Sequence, residues 1–448
     1  MTERTSDSEI CKVMKMRRDK MKMRRDKMRK TRSRSLALVS AATLLLSGIT
    51  ISGASSVAGA TDSKAPIVIA SMSPINGAFY NAPDNLAATK AAIRYVNSHG
   101  GIGGRDLKLD WCNEGDSANQ EAVCTAGFAS SNAIAAVNNV PVFNETVSVS
   151  TLVNAKMADI GPAVLNAASF QIPSLFPTDG GNDFQAASTA IYAVKDEHLK
   201  RVAMVGNDGS TSFVIAAAVK SAVKAAGGTY LGEVVLPQSN TIPDYSSYAA
   251  QVLALHPDVI ETPITSLVGV MKAVRGLGSN VPFLTGGAAL DGSVLGANQS
   301  IDKGALIGNP APWIYGAAVS PGMKTFLASM NAEAKTGDSA ANLAVLTEQS
   351  AAWYANVIAV AQVLKQMASN GTAIDRAAFL TAFGNAKNIQ TGILPPWTPG
   401  DHQTVVTGFS SLSNPDEYIL KVENGKAVLA NGGKPLDVAP YLKDFVSK

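Results

Sequence analysis

Residues 66–72 read Pro-Ile-Val-Ile-Ala-Ser-Met, and residues 84–98 read Asp-Asn-Leu-Ala-Ala-Thr-Lys-Ala-Ala-Ile-Arg-Tyr-Val-Asn-Ser. The first stretch is short, apolar and rich in β-branched residues, the pattern of a buried strand. In the second, Leu86, Ala87, Ala91, Ile93 and Val96 recur near helical spacing. Gly100-Gly101-Ile102-Gly103-Gly104 then stops the helix and turns the chain. This strand–helix–turn unit repeats outward. Strands are expected at Leu107–Trp111, Ile134–Val137 and Ala163–Asn166, with helices at Ala118–Ser130 and Ser150–Asp159. A second series follows: helices at Asp183–Leu199, Ser212–Ala226, Tyr245–Leu255 and Leu267–Leu277, and strands at Arg201–Gly206, Thr229–Leu236, Val259–Thr262 and Pro282–Thr285. Two successive β-α series predict an α/β protein with two parallel sheets, each covered by helices on both faces.

After Asn309-Pro310-Ala311-Pro312 the pattern changes. Helical segments are expected at Gly322–Lys335, Ala340–Met367 and Asp375–Phe383. The stretch Glu417–Leu429 with Asn424-Gly425 at its centre reads as a hairpin. Leu394-Pro-Pro-Trp-Thr-Pro-Gly400 reads as a crossing segment or a surface loop.

The beginning of the chain has a different grammar. A basic stretch runs from Lys12 to Arg34 and contains Met14–Lys20 duplicated as Met21–Lys27. An uncharged apolar stretch, Leu36–Ile51, follows, and then Ala58-Gly59-Ala60. Basic head, apolar middle and small-residue exit are the parts of a secretory signal peptide, expected here over 1–60. The apolar stretch is interrupted by Ser40, Thr43, Ser47 and Gly48 and is shorter than the roughly 20 residues of a spanning helix. No cysteine stands directly after it, the next being Cys112, so a lipid-anchored mature end is not expected. Residues 61–448 hold 24 Lys/Arg and 30 Asp/Glu, a net charge of −6, although the whole chain carries +3. Nothing basic is left there to attract nucleic acid or acidic lipid. Length beyond the leader favours two domains.

Cys112 and Cys124 remain after the leader, and an oxidising compartment permits a bond between them. The other reading is two buried thiols, but a strand end and a site one helix segment later suit the bond. A metal site needs further ligands, and His99, His198, His256 and His402 are scattered. No nucleophile elbow, zinc-protease helix motif or P-loop occurs, so neither an enzyme nor a cofactor is expected.

Strand ends carry the binding candidates. In open parallel sheets, ligands sit beyond the carboxyl ends of the strands, where helix N-termini present free N–H groups. The loops there are rich in small polar residues, and they nominate Phe79, Tyr80, Glu145, Ser148, Ser150, Ala168, Ser169, Asn207, Phe213, Thr262, Ser266 and Gly287. For any single Ser or Thr helix capping is the better reading; for the set, arriving at strand ends in both lobes, ligand contact is.

Ser71-Met-Ser-Pro-Ile-Asn-Gly77 and Ala91-Ala-Ile-Arg-Tyr-Val-Asn-Ser-His-Gly-Gly-Ile-Gly-Gly-Arg105 resemble blocks of the periplasmic binding proteins of the branched-chain amino acid transport type. Cys112, Asp244-Tyr-Ser-Ser-Tyr248 and Val281-Pro-Phe-Leu-Thr-Gly286 fit the same family. The resemblance implies two Rossmann-like lobes of the type I periplasmic binding protein fold, joined by three crossings. It places one lobe at 61–183 plus 312–392 and the other at 184–311 plus 393–448. It implies a secreted, monomeric protein of the periplasm or cell-envelope exterior. Such a protein captures a branched-chain amino acid-like solute, amide or small carboxylate in the cleft and delivers it to an ABC transporter permease. The alternative is a ligand-sensing domain reporting to a membrane receptor. One departure stands out. The family's acid for a ligand ammonium follows the strand at 282–285, where this chain has Gly286-Gly-Ala-Ala289. Glu145 is the candidate replacement.

Overall fold

The computed structural model describes residues 65–445 apart from 78–80, 116, 142, 164–167, 238–241, 243, 264–266, 288–294, 296, 299, 313–319 and 348. The expected leader, and Phe79, Tyr80 and Ser266, lie outside the described residues.

The first lobe opens with β1 (Ile67–Met72), α1 (Pro83–Ser98), β2 (Leu107–Cys112), α2 (Ala118–Ser130) and β3 (Ala135–Val137). It continues with α3 (Glu145–Asn154), β4 (Ala158–Ile160) and β5 (Leu175–Phe176). These strands form a parallel sheet in the order β2-β1-β3-β4-β5. All six residues of β1 are buried, as a strand covered on both faces requires.

The second lobe contains α4 (Gly181–Lys195), β6 (Arg201–Asn207), α5 (Ser210–Ala225), β7 (Thr229–Leu236), α6 (Ser246–Leu253) and β8 (Val259–Glu261). Then come α7 (Leu267–Gly276), β9 (Phe283–Gly286) and β10 (Leu306–Asn309). The chain returns to the first lobe with α8 (Pro321–Ala334), α9 (Ser350–Ser369) and α10 (Arg376–Asn385). Met323, Phe326, Trp353 and Phe383 of these helices join the core beneath β1 and β3. The final strands, β11 (Asp416–Glu423), β12 (Lys426–Leu429) and β13 (Leu436–Asp437), complete the second sheet. Its order is β12-β11-β10-β9-β8-β6-β7, with β13 on β11. The hairpin β11–β12 turns at Asn424 and Gly425, both at positive φ, 53° and 70°. That conformation suits a two-residue hairpin turn.

The chain passes from the first sheet to the second between β5 and β6, leaves it after β10 for α8, α9 and α10, and rejoins it at β11; these three passages are called the first, second and third crossings. Ile393, Leu394 and Trp397 are buried in the first lobe's core, while Val406 and Phe409 belong to the second lobe. Apolar bulk on both sides of Pro395-Pro396 holds that segment against the first lobe.

The stretch after β3 departs from expectation. The sequence predicted a loop to 149, a helix over 150–159 and a strand over 163–166; the helix instead starts at Glu145 and the strand is Ala158–Ile160. The cause is Glu121 on α2, a fully buried carboxylate. It accepts from the backbone N–H of Phe143 at 2.9 Å and of Asn144 at 3.0 Å, and from Ser148 Oγ at 2.7 Å. Helix N-termini leave such donors unsatisfied, and a carboxylate there fixes the start. Lys156, at φ 53°, ends the helix. The single helix expected over 340–367 is likewise interrupted. Asp338 and Asn342 accept from the N–H of Ala340 and Ala344 and form two short 3-10 turns. Asp84 then takes the N–H and hydroxyl of Thr347 and the hydroxyl of Ser350 before α9 begins. At the other end of α2, Arg376 donates to the carbonyls of Phe128, Ala129, Ser131 and Ala133 at 2.7–2.9 Å.

Cys112 and Cys124 form a disulfide with a Cα–Cα distance of 5.6 Å, tying the end of β2 to α2. A loop of this length constrains the unfolded chain by about 3 kcal/mol. Cys112→Ser with Cys124→Ser is expected to lower the unfolding free energy by that amount in urea titrations. A double variant as stable as its parent contradicts this.

Candidate functional site

Each sheet has one point among its parallel strands where strand order reverses, between β1 and β3 in the first and between β6 and β8 in the second, whose last strands β11–β13 pair antiparallel. Crevices at such points, outside the strands' carboxyl ends, are the usual ligand sites of these sheets. Asn138 and Asn139 follow β3, Asn207 ends β6, and Thr262 follows β8. Asn207 is half-buried, and its N–H is bonded to Ser212 Oγ at 2.9 Å. Thr262 is fully buried, its hydroxyl has no hydrogen-bond partner, and its carbonyl accepts from Thr285 Oγ1 at 3.1 Å.

The other nominated residues divide. Ser148 is buried and turned onto Glu121. Ser150 is exposed on α3 and donates to the Val147 carbonyl. Glu145 is buried in the first turn of α3. Ala168 is exposed and Ser169 buried at the turn preceding β5. Phe213 is exposed on α5, and Gly287 is buried after β9.

None of these lines the recess between the lobes. That recess, about 60 Å³, is bordered by Gly161–Ala163 after β4, by Thr178 and Asp179 in the first crossing, and by Gly181, Asn182 and Gln185 at the start of α4. Pro310 of the second crossing, Phe170, and Gln349, Ala352, Trp353 and Asn356 at the start of α9 complete it. It holds about two waters by volume, too little for a whole ligand chamber, and forms the floor of the crevice between the lobes. The Phe170 ring stacks on Phe409 with centroids 4.5 Å apart, and the Phe170 carbonyl accepts from the N–H of Ser411 at 2.6 Å. One wall is thereby fastened to the third crossing.

The floor is rich in acceptors. Asp179 Oδ1 accepts from the N–H of Gly181 at 2.6 Å, and burial pushes its carboxyl up to about 6. Burial likewise raises Asp183 to about 7. Behind Asp179 lies Glu417 on β11, 0% exposed, with neither carboxylate oxygen hydrogen-bonded. Burial and then the nearby Asp179 and Asp416 charges raise it well above the usual carboxylate range. Residues 417, 419 and 421 alternate onto one face of the strand. Ile419 packs in the cluster containing Ala186 and Ala190 of α4, and Lys421 pairs with Glu197 just beyond α4 at 2.7 Å. Glu417 therefore faces the first turn of α4.

Sequence reasoning missed Asp179, Gln185, Trp353 and Asn356. The only local signal was the turn-rich run Thr178-Asp-Gly-Gly-Asn-Asp183, which reads as an ordinary loop. Among the described residues, no group of three His, Cys, Asp or Glu is placed to hold a metal, and no helix is long and apolar enough to cross a membrane.

Residues 66–410 match the profile of a family described as periplasmic binding protein. No curated protein sequence matches the chain. Similar solved structures include a fatty acid ABC transporter substrate-binding protein from Thermomonospora curvata, 16% identical with a TM-score of 0.66, covering 84% of this chain and 93% of that one. A branched-chain amino acid transporter substrate-binding protein from Streptococcus pneumoniae, in complex with isoleucine, is 16% identical with a TM-score of 0.63, covering 82% and 99%. A leucine-binding protein from Thermotoga maritima is 15% identical with a TM-score of 0.62, covering 81% and 97%. At these identities the likeness is one of fold.

Proposed function

We propose, from the premise that this chain belongs to the periplasmic binding protein family, that it captures a small solute in the cleft between its lobes. It does so outside the cytoplasm, as a monomer, releases the solute chemically unchanged and delivers it to an ABC transporter permease. The observation that carries this reading is the acceptor-lined recess between the first two crossings, which both lobes border. Closure of two lobes about such crossings surrounds a ligand and removes it from water. Ser169, Asn207 and Thr262, at strand ends or beside the recess, are the nominated residues that fit the cleft wall. The similar structures range from a fatty acid transporter's binding protein to one in complex with isoleucine, so the fold alone does not choose the solute.

The test is a thermal-shift panel of amino acids, amides and small carboxylates with the purified protein. A ligand at 100 times its Kd adds about 2.7 kcal/mol to stability, and the melting temperature rises. One-to-one saturable binding, with the compound recovered unaltered, is the expected outcome. Turnover of any bound compound overturns the reading.

A further inference from the structure

We infer that the Cys112–Cys124 disulfide is a redox interlock on the first lobe's crevice: it holds together the two segments that border the crevice, and its reduction releases both. The control of solute capture that follows rests on the capture reading above, whereas the release itself does not.

The first lobe's crevice lies between β1 and β3, where strand order reverses. The loop after β1 forms one border and the start of α3 the other. The bond joins the element that holds the first to the element that holds the second. On the β2 side, the Cys112 carbonyl accepts from the N–H of Ser73 at 3.4 Å, and the Trp111 indole N–H donates to Ser73 Oγ at 3.3 Å. Asn113, the next residue, bonds twice to Ile75. Its Oδ1 accepts from the Ile75 N–H at 2.9 Å, and its Nδ2 donates to the Ile75 carbonyl at 3.0 Å. On the α2 side, Cys124 and Glu121 are buried at i, i+3 spacing on one face of the helix. Glu121 holds the N–H groups of Phe143 and Asn144 and the Ser148 hydroxyl. Asn144 Nδ2 also donates to the Ala118 carbonyl at 3.3 Å.

The two ends of α2 are fixed differently. Arg376 clamps the C-terminal carbonyls in either state of the cysteines. Toward the other end, Cys124 is the first apolar residue that the helix buries. Reduction therefore loosens the end nearest the crevice, with Glu121 on it. The bond is also within reach of a reductant. Cys112 is half-buried, and the side chain of the exposed Gln120 lies across both sulfurs, its Nε2 at 3.9 and 4.0 Å. Disulfides open to solvent are the labile ones. A dithiol supplies two electrons and two protons: the sulfur–sulfur bond breaks, two thiols form, and the dithiol closes to its own disulfide. The cytoplasm keeps thiols reduced, so a chain not yet exported has a loose crevice and captures poorly there.

The test is hydrogen exchange read by mass spectrometry with no solute present. It compares the oxidised protein, the protein in excess dithiothreitol, and Cys112→Ser with Cys124→Ser. Amides of 73–77 and 143–149 are expected to exchange at least tenfold faster in both unbridged forms, while those of β6 in the second lobe stay unchanged. Unchanged exchange in either segment overturns the inference. An equal rise in β6, or global unfolding on reduction, overturns it as well, because the bond then supports the whole fold rather than the crevice. No solute enters the comparison, so the inference can fail while capture stands, and capture can fail without touching it.

Discussion

Between pH 5 and pH 8 the protein is expected to lose several kcal/mol of stability, and Glu261→Gln to lose markedly less. Glu261 ends β8, is fully buried, and accepts from Thr189 Oγ1 on α4 at 3.0 Å. Burial pushes its carboxyl from 4.5 up to about 8, with the Thr189 bond only partly opposing. Burial likewise raises Asp159, in the middle of β4, to about 7 against its bond from Asn139. Both groups keep a proton in the native state that the unfolded chain releases. Unfolding therefore releases protons, and stability falls as pH rises. The full stability is present below pH 4, where both states are protonated, and is lost as pH rises through the native values of about 7 and about 8. Each such group contributes a slope of about 1.4 kcal/mol per pH unit inside its window. Glutamine is nearly isosteric with a protonated glutamate, so Glu261→Gln removes one slope without opening a cavity. Urea midpoints at pH 5, 6, 7 and 8 measure both curves. Identical slopes in parent and variant would show that Glu261 is ionised in the native protein.

The second large effect is at Glu121. Glu121→Ala is expected to cost about 3 kcal/mol, because two backbone N–H groups and the Ser148 hydroxyl lose a charged acceptor in a buried place. Glu121→Gln keeps one acceptor oxygen and is expected to cost less than half as much. Urea unfolding monitored by far-ultraviolet circular dichroism reads both. A loss below about 0.5 kcal/mol for Glu121→Ala would mean that water replaces the carboxylate at the start of α3.

Glu121 also marks where sequence reading stops. The β-α alternation was legible, and α2 falls at Ala118–Ser130 as expected, because hydrophobic period is a local signal. The Asn424-Gly425 turn and the Cys112–Cys124 pair were legible for the same reason. The helix at Glu145–Asn154 was not. Its start is set by a carboxylate 22–27 residues earlier in the chain, and Asn144-Glu-Thr-Val-Ser-Val-Ser has loop-like composition of its own. The recess was invisible for a stronger form of that reason. Its walls come from residues near 161–163, 170, 178–185, 310 and 349–356. Only the crossings bring these segments together, and none of the five carries a motif.

Those crossings also govern the order in which the molecule can be completed. β5 and Phe176 are made early, yet the core they enter also needs Phe379, Phe383 and Trp397, about 220 residues later. The second sheet waits longer still, because β11 must insert between β10 and β12. At synthesis rates of roughly 5–20 residues per second, the first lobe's hydrophobic interior stays incomplete for roughly 10–40 s after its sheet has been translated. Neither lobe exists as an autonomous folding unit during that interval. The nascent chain is therefore held short of either finished core until its last hundred residues have been made.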